Sequence, residues 1–162
     1  LIVNLNHHIL INDKKLPELV AKLLTIIGSK LSHPLILQFS EHALQQNLSQ
    51  AQTQIALLRQ FGAEISIRNF GDSLYSDSIL KQIDTQYLSF HPKLSKMLDS
   101  DKHMPALQEK ILHYIAQKPV EILLTDLNDM SLFANAWNVE ARYLQGNYFQ
   151  KKLDRLTDVQ DQ

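Results

Sequence analysis

Apolar residues in this chain follow two spacings in turn, one suited to strands and one to helices. The run Leu-Ile-Val-Asn-Leu predicts a strand over Ile2–Asn6, and Pro17 then opens a helix in which Val20, Leu23, Leu24 and Ile27 recur at helical intervals before Gly28. Leu35–Phe39 is a short apolar run suited to a buried strand. Leu44, Leu48, Ala51, Ile55 and Leu58 follow on one helical face, with Gly62 as the stop. Glu64–Phe70 predicts the next strand, Leu74–Ile83 a helix and Tyr87–Phe90 a shorter strand. Leu94–Leu98 is long enough for one or two helical turns. Pro105 fits the first turn of a helix carrying Leu107, Ile111, Tyr114 and Ile115, which Pro119 ends ahead of a strand at Glu121–Leu124. Asp129 caps a last helix through Trp137, and Arg142–Leu144 is the final strand.

Strands and helices that alternate over short connections predict the α/β class, because parallel neighbours need a crossover between them. Six strands are expected, whereas a closed eight-stranded barrel takes about 250 residues. A barrel lacking its first units, or an open sheet, fits the 162 residues as one partial domain over 1–162. Since 16 basic residues face 17 acidic ones, no global field favours a nucleic-acid polymer or an acidic membrane, and phosphate recognition has to be local. Without cysteine there is neither a disulfide framework nor a thiolate zinc site, which agrees with the cytoplasmic location expected here. Polar residues interrupt every hydrophobic stretch well short of the roughly 20 that a membrane-spanning helix needs, so no transmembrane segment is expected. Leu1 opens directly on a strand-like run, which reads as an internal cut in a longer protein.

Taken in order, Val3-Asn4-Leu5, Leu35-Ile-Leu-Gln-Phe-Ser-Glu41, Arg68-Asn-Phe-Gly71, Tyr87-Leu-Ser-Phe90, Leu124-Thr-Asp-Leu-Asn128 and Leu144-Gln-Gly146 resemble the strand-end motifs of EAL domains, the bacterial cyclic-di-GMP phosphodiesterase family. There these segments usually read VNL, LEITE, DDFG, LKID, AEGVE and QG. The resemblance covers nearly the whole chain and omits the first units, the EAL tripeptide among them. It implies a TIM-barrel-like fold with its mouth at the carboxyl ends of the strands. The chemistry it implies is phosphodiester hydrolysis, with strand-end carboxylates holding two divalent cations that activate water. Asn4 keeps its identity under that resemblance, but the first Glu of LEITE is Gln38 and the paired acids of DDFG are Arg68 and Asn69. The Lys of LKID is Ser89, the two Glu of AEGVE are Thr125 and Asn128, and Gln145 stands where the pattern has its Gln.

Neutral amides are weak ligands for hard dications, and a guanidinium at such a site repels them. No catalytic residue, metal site or cofactor is therefore expected. Arg68 can instead meet a phosphate with two parallel hydrogen bonds, or it can turn to Asp126 or Asp72 and fill a dead site. The expectation is a catalytically inactive receptor or regulatory scaffold for cyclic-di-GMP, with Asn4, Gln38, Arg68, Asn69, Ser89, Thr125, Asn128 and Gln145 as its ligand-facing set. Trp137 ahead of Tyr143-Leu-Gln-Gly-Asn-Tyr-Phe-Gln150 is similar to the end of FimX-type regulators, degenerate EAL proteins linked to type IV pili and twitching motility. That likeness implies a PilZ-type adaptor as partner. A GGDEF-like domain fused upstream is a further expectation, and unpaired sheet edges invite a homodimer. The alternative is a protein-interaction domain that no longer takes nucleotide.

Gly71-Asp72-Ser73-Leu74 spells the signature of GDSL esterases, yet no Asp-x-x-His follows to supply a base. His7 and His8 are adjacent, and His33, His42, His91, His103 and His113 show no paired spacing among themselves, so scattered surface imidazoles are expected. Burial is the expectation for Trp137, Tyr143, Tyr148 and Phe149, and a solvated face for Lys151, Lys152 and Arg155.

Overall fold

In the computed structural model, the residues described are 2–5, 18, 21, 22, 25, 35–125 and 143–144. The chain divides into two compact units, Leu1–Leu88 and Ser89–Gln162. In the first, β1 (Ile2–Leu5), β2 (Ile36–Ser40) and β3 (Glu64–Phe70) lie side by side in chain order, all parallel. Parallel pairing forces a crossover between strands. Between β2 and β3 it is made by α1 (Glu41–Gln46) and α2 (Leu48–Gln60), and α3 (Ser76–Gln82) follows β3. Buried residues alternate along β2, with Leu37 and Phe39 inside and Ile36, Gln38 and Ser40 half-buried on the other face. The inner face packs with Leu44, Ile55, Leu58, Ile65, Ile67 and Ile79, each at most 1% exposed. Dense interdigitation of this kind is what makes a core specific about volume.

Gly62 ends α2 as expected, at φ +91°. Its N–H bonds the carbonyl of Arg59 at 3.0 Å, and that of Ala63 bonds the carbonyl of Leu58 at 3.1 Å, so the last carbonyls of the helix are satisfied by a left-handed turn. Beyond α3, Gln86 extends the edge of β3. Its N–H meets the carbonyl of Ile65, and its side-chain oxygen accepts from the N–H of Ile65 at 2.8 Å.

Strand β4 (Tyr87–Phe90) closes the first unit and opens the second. Next come α4 (Pro92–Ser95), a 3-10 turn over Lys96–Asp99, α5 (Met104–Gln117) and β5 (Glu121–Leu124), which pairs in parallel with β6 (Tyr143–Leu144). Pro105 does lie in the first turn of α5, where no N–H is missed. Leu107, Ile111 and Tyr114 face inward, with the Tyr114 ring edge-on to Phe90 at 5.9 Å between centroids.

Two expected elements come out differently. The helical face from Leu44 to Leu58 belongs to two helices, because the Asn47 side chain donates to the carbonyl of Ala43 while its backbone leaves the helical region (φ −130°, ψ 41°). The helix placed at Leu74–Ile83 begins only at Ser76, and Leu74 is 98% exposed. The expected helices at 17–28 and 129–137 lie outside the described residues, apart from helical backbone at 18, 21, 22 and 25.

Truncation and backbone strain are separable at the end of α2. Leu58→Ala is expected to cost about 3 kcal/mol through the cavity it leaves. Gly62→Ala, where a methyl would meet no atom within 4 Å, is expected to cost about 1 kcal/mol through the left-handed backbone alone. Urea unfolding of the two variants checks the ranking.

Candidate functional site

Register decides which polar side chains of the first unit share a face. Asn4 pairs with Gln38, and Gln38 with Ser66, so the three form a row across β1, β2 and β3. Two residues further on, Ser40 pairs with Arg68, and a shift of two returns to the same face. That face is the one opposite Leu37 and Phe39. Within the row the Gln38 amide nitrogen donates to the Ser66 hydroxyl at 2.9 Å, and Ser66 itself is buried.

Arg68 is half-buried near the carboxyl end of β3. Among the described residues it forms no ion pair, and its buried Nε has no hydrogen-bond partner. The expected alternative partner Asp72 does not satisfy it, and Asp126 lies outside the described residues. Asn69 follows at φ 55°, in the left-handed region that Asn enters more readily than most residues, with its side chain exposed.

A carboxylate that was not among the expected site residues organises the next segment. Glu41, only 4% exposed, accepts from the N–H of Gly71 and the hydroxyl of Ser76, both at 2.9 Å, and from the hydroxyl of Ser73. Ser73 also accepts from the N–H of Tyr75. The turn at 71–75 is thereby pinned to the start of α1, which is why α3 starts late and Leu74 and Tyr75 project into solvent. Ser40 caps α1 by accepting from Ala43 at 3.1 Å, so the chain enters that helix at a defined angle.

In the second unit Ser89 is buried on β4, and the Thr125 hydroxyl donates to the carbonyl of Phe90 at 2.9 Å. Asn128 and Gln145 lie outside the described residues, as do Trp137, Tyr148, Phe149 and the basic residues that follow, together with His7, His8 and His33. Each of the other histidines is accounted for locally. His91 accepts from the N–H of Lys93, His103 meets Ser100 and Asp99, His113 meets Gln117, and His42 is exposed. Among the described residues no three of His, Cys, Asp and Glu converge on a point that could hold a metal ion.

The donor set does not fit a pair of dications. Gln38, Asn4 and Asn69 are neutral, and Arg68 brings a positive charge. Hard cations need anionic oxygens, and a half-buried guanidinium raises the electrostatic cost of placing one nearby. What the arrangement can do is donate hydrogen bonds to an anion from Arg68 and exchange neutral ones with Asn4 and Gln38.

The family model for the EAL domain matches residues 2–152, and the chain belongs to that family. Among solved structures, it is similar to the FimX EAL domain from Pseudomonas aeruginosa bound to c-di-GMP. The TM-score is 0.77 at 22% identity, over 92% of this chain and 60% of that one. A second FimX EAL domain structure gives 0.81 at 24% identity, over 92% and 59%. The PaMucR phosphodiesterase in complex with c-di-GMP gives 0.75 at 22% identity, over 90% and 64%. The fold is therefore the TIM-barrel-like EAL fold, and the chain spans about 60% of the length of these structures. A comparison with the curated proteins found no match.

Ser66 and Glu41 were within reach of sequence reasoning. Period-two alternation on β3 puts Ser66 with Arg68, and Glu41 is the retained last residue of the LEITE-like segment. Replacing Glu41 with Ala leaves buried donors at Gly71 and Ser76 unmet and is expected to cost about 3 kcal/mol. Faster amide exchange over residues 71–76, out of proportion to the rest of β3, is the accompanying measurement. Because the Ser73 hydroxyl is held by a carboxylate and hydrogen-bonds to no imidazole among the described residues, a fluorophosphonate probe is expected to leave Ser73 unlabelled.

Proposed function

We propose that this chain is a non-catalytic EAL domain that serves as a cyclic-di-GMP receptor in bacterial signalling. The observation that carries the reading is Arg68. A guanidinium stands where the family pattern has an acid, and its Nε is buried without a hydrogen-bond partner. Buried donors of this kind are rare unless a ligand or water completes them. A phosphate oxygen is the acceptor best matched to a guanidinium, in charge and in geometry. The other residues proposed to face the ligand are Asn4, Gln38 and Asn69 in the first unit and Ser89, Thr125, Asn128 and Gln145 in the second. Of the three structures compared above, two were determined with c-di-GMP, one an EAL domain of FimX and the other a phosphodiesterase. The exchanges at Gln38, Arg68 and Asn69 depart from the phosphodiesterase pattern and support the receptor reading.

A regulatory role in type IV pilus function, with a PilZ-type adaptor as partner, is the finer form of the same proposal. It draws on the FimX likeness. A cytoplasmic setting belongs to it too; no helix among the described residues is long and apolar enough to cross a membrane. One observation favours the second reading, a protein-interaction domain without nucleotide. Leu74 and Tyr75, at 98% and 54% exposure, project from a turn that Glu41 holds rigid, as a docking element does.

Titration calorimetry with cyclic-di-GMP tests the receptor. Saturable binding is expected in the absence of magnesium and manganese, and Arg68→Ala is expected to weaken it about tenfold or more. Neither metal is expected to bring about hydrolysis. Turnover by the purified chain with either metal refutes the non-catalytic reading, and absence of heat at high micromolar ligand favours the interaction domain.

A further inference from the structure

We infer that Ser66 is a positioning residue of the ligand site: its hydroxyl fixes the Gln38 carboxamide so that the amide oxygen is held ready for a neutral donor on the ligand. The inference rests on the receptor reading and says what the middle of the polar row recognises. A glutamine side chain has two ends of opposite character, and rotation about its last torsion exchanges them. In water both orientations are populated. Here the nitrogen donates to Ser66 Oγ at 2.9 Å, which commits that end toward β3. Ser66 is only 4% exposed, so little water competes for its hydroxyl.

The amide oxygen, on the other side of the same carbon, makes no hydrogen bond with the described residues and is not among the buried unpaired atoms. It is an accessible acceptor on a half-buried side chain. Asn4 stands in register on the flank away from Ser66, so the row runs from an exposed amide through an oriented amide to a buried hydroxyl. None of the three carries charge. Such a row recognises an O–H or N–H of a ligand, and in a cyclic dinucleotide that means a ribose hydroxyl or the guanine edge.

Calorimetry on the purified chain with cyclic-di-GMP tests this through Ser66→Ala, Ser66→Thr, Gln38→Ala and the Gln38→Ala/Ser66→Ala double variant. Ser66→Ala is expected to bind about fivefold more weakly, with an unchanged melting temperature, as follows from losing one oriented hydrogen bond. Ser66→Thr, which keeps the hydroxyl, is expected to retain affinity. On the Gln38→Ala background, removal of the hydroxyl is expected to have no further effect. Equal affinity of Ser66→Ala and the unsubstituted chain overturns the inference, as does a penalty that survives in the double variant. If the unsubstituted chain itself gives no heat, the receptor reading fails first and this one with it. A ribose-fluorinated cyclic-di-GMP, which lacks the hydroxyl donor, distinguishes the two sources: disappearance of the Ser66→Ala penalty assigns the donor to ribose, and its persistence assigns it to guanine.

Discussion

Glu41 carries the constraint on which the first unit depends. A carboxylate at 4% exposure is tolerable only where donors replace the water it has lost, and three groups between Gly71 and Ser76 do so. Since Glu41 begins α1 directly after β2, and those donors follow directly after β3, one buried anion ties together the carboxyl ends of two neighbouring strands. The turn between Gly71 and Tyr75 cannot wander without stranding a charge. Arg68 and Asn69 lie on β3 just ahead of it. Leu74 and Tyr75 stay in water between the groups that Glu41 holds on either side.

On the face of the sheet beside this anchor, chemistry follows from register. In-register parallel pairing sets Asn4, Gln38 and Ser66 in one row and Arg68 two residues beyond, all opposite the apolar face that packs against α1 and α2. Where the EAL-like motifs lead one to expect carboxylates, this chain carries amides, hydroxyls and one guanidinium. Phe39, Ile65 and Ile67 on the other face remain a buried apolar core, so the polar face can differ in charge while the fold persists.

Much of this was legible along the chain. Strands Glu64–Phe70, Tyr87–Phe90 and Glu121–Leu124 were expected with the bounds they have, because strand length and apolar alternation are local properties. Gly62 and Pro105 marked a helix end and a helix start through backbone preferences that need no neighbours. The break at Asn47 was hidden, since it turns on a side chain competing for a carbonyl inside an otherwise continuous apolar stripe. The late start of α3 was hidden too. Leu74 has helical spacing with the residues that follow, but the turn holding it out is set by a glutamate some thirty positions earlier.

Sequence alone determined the class of fold, the family and the identity of the exchanged residues, because periodicity and motif order are written in one dimension. It could not say which way those residues turn. That Gln38 presents its nitrogen to Ser66, that Arg68 keeps a buried nitrogen without a partner, and that Ser73 serves a structural carboxylate are outcomes of strand register and of packing between distant segments. Hydrogen-bond partners are chosen in three dimensions. Two residues thirty apart in the chain become neighbours only once parallel strands have brought their ends together.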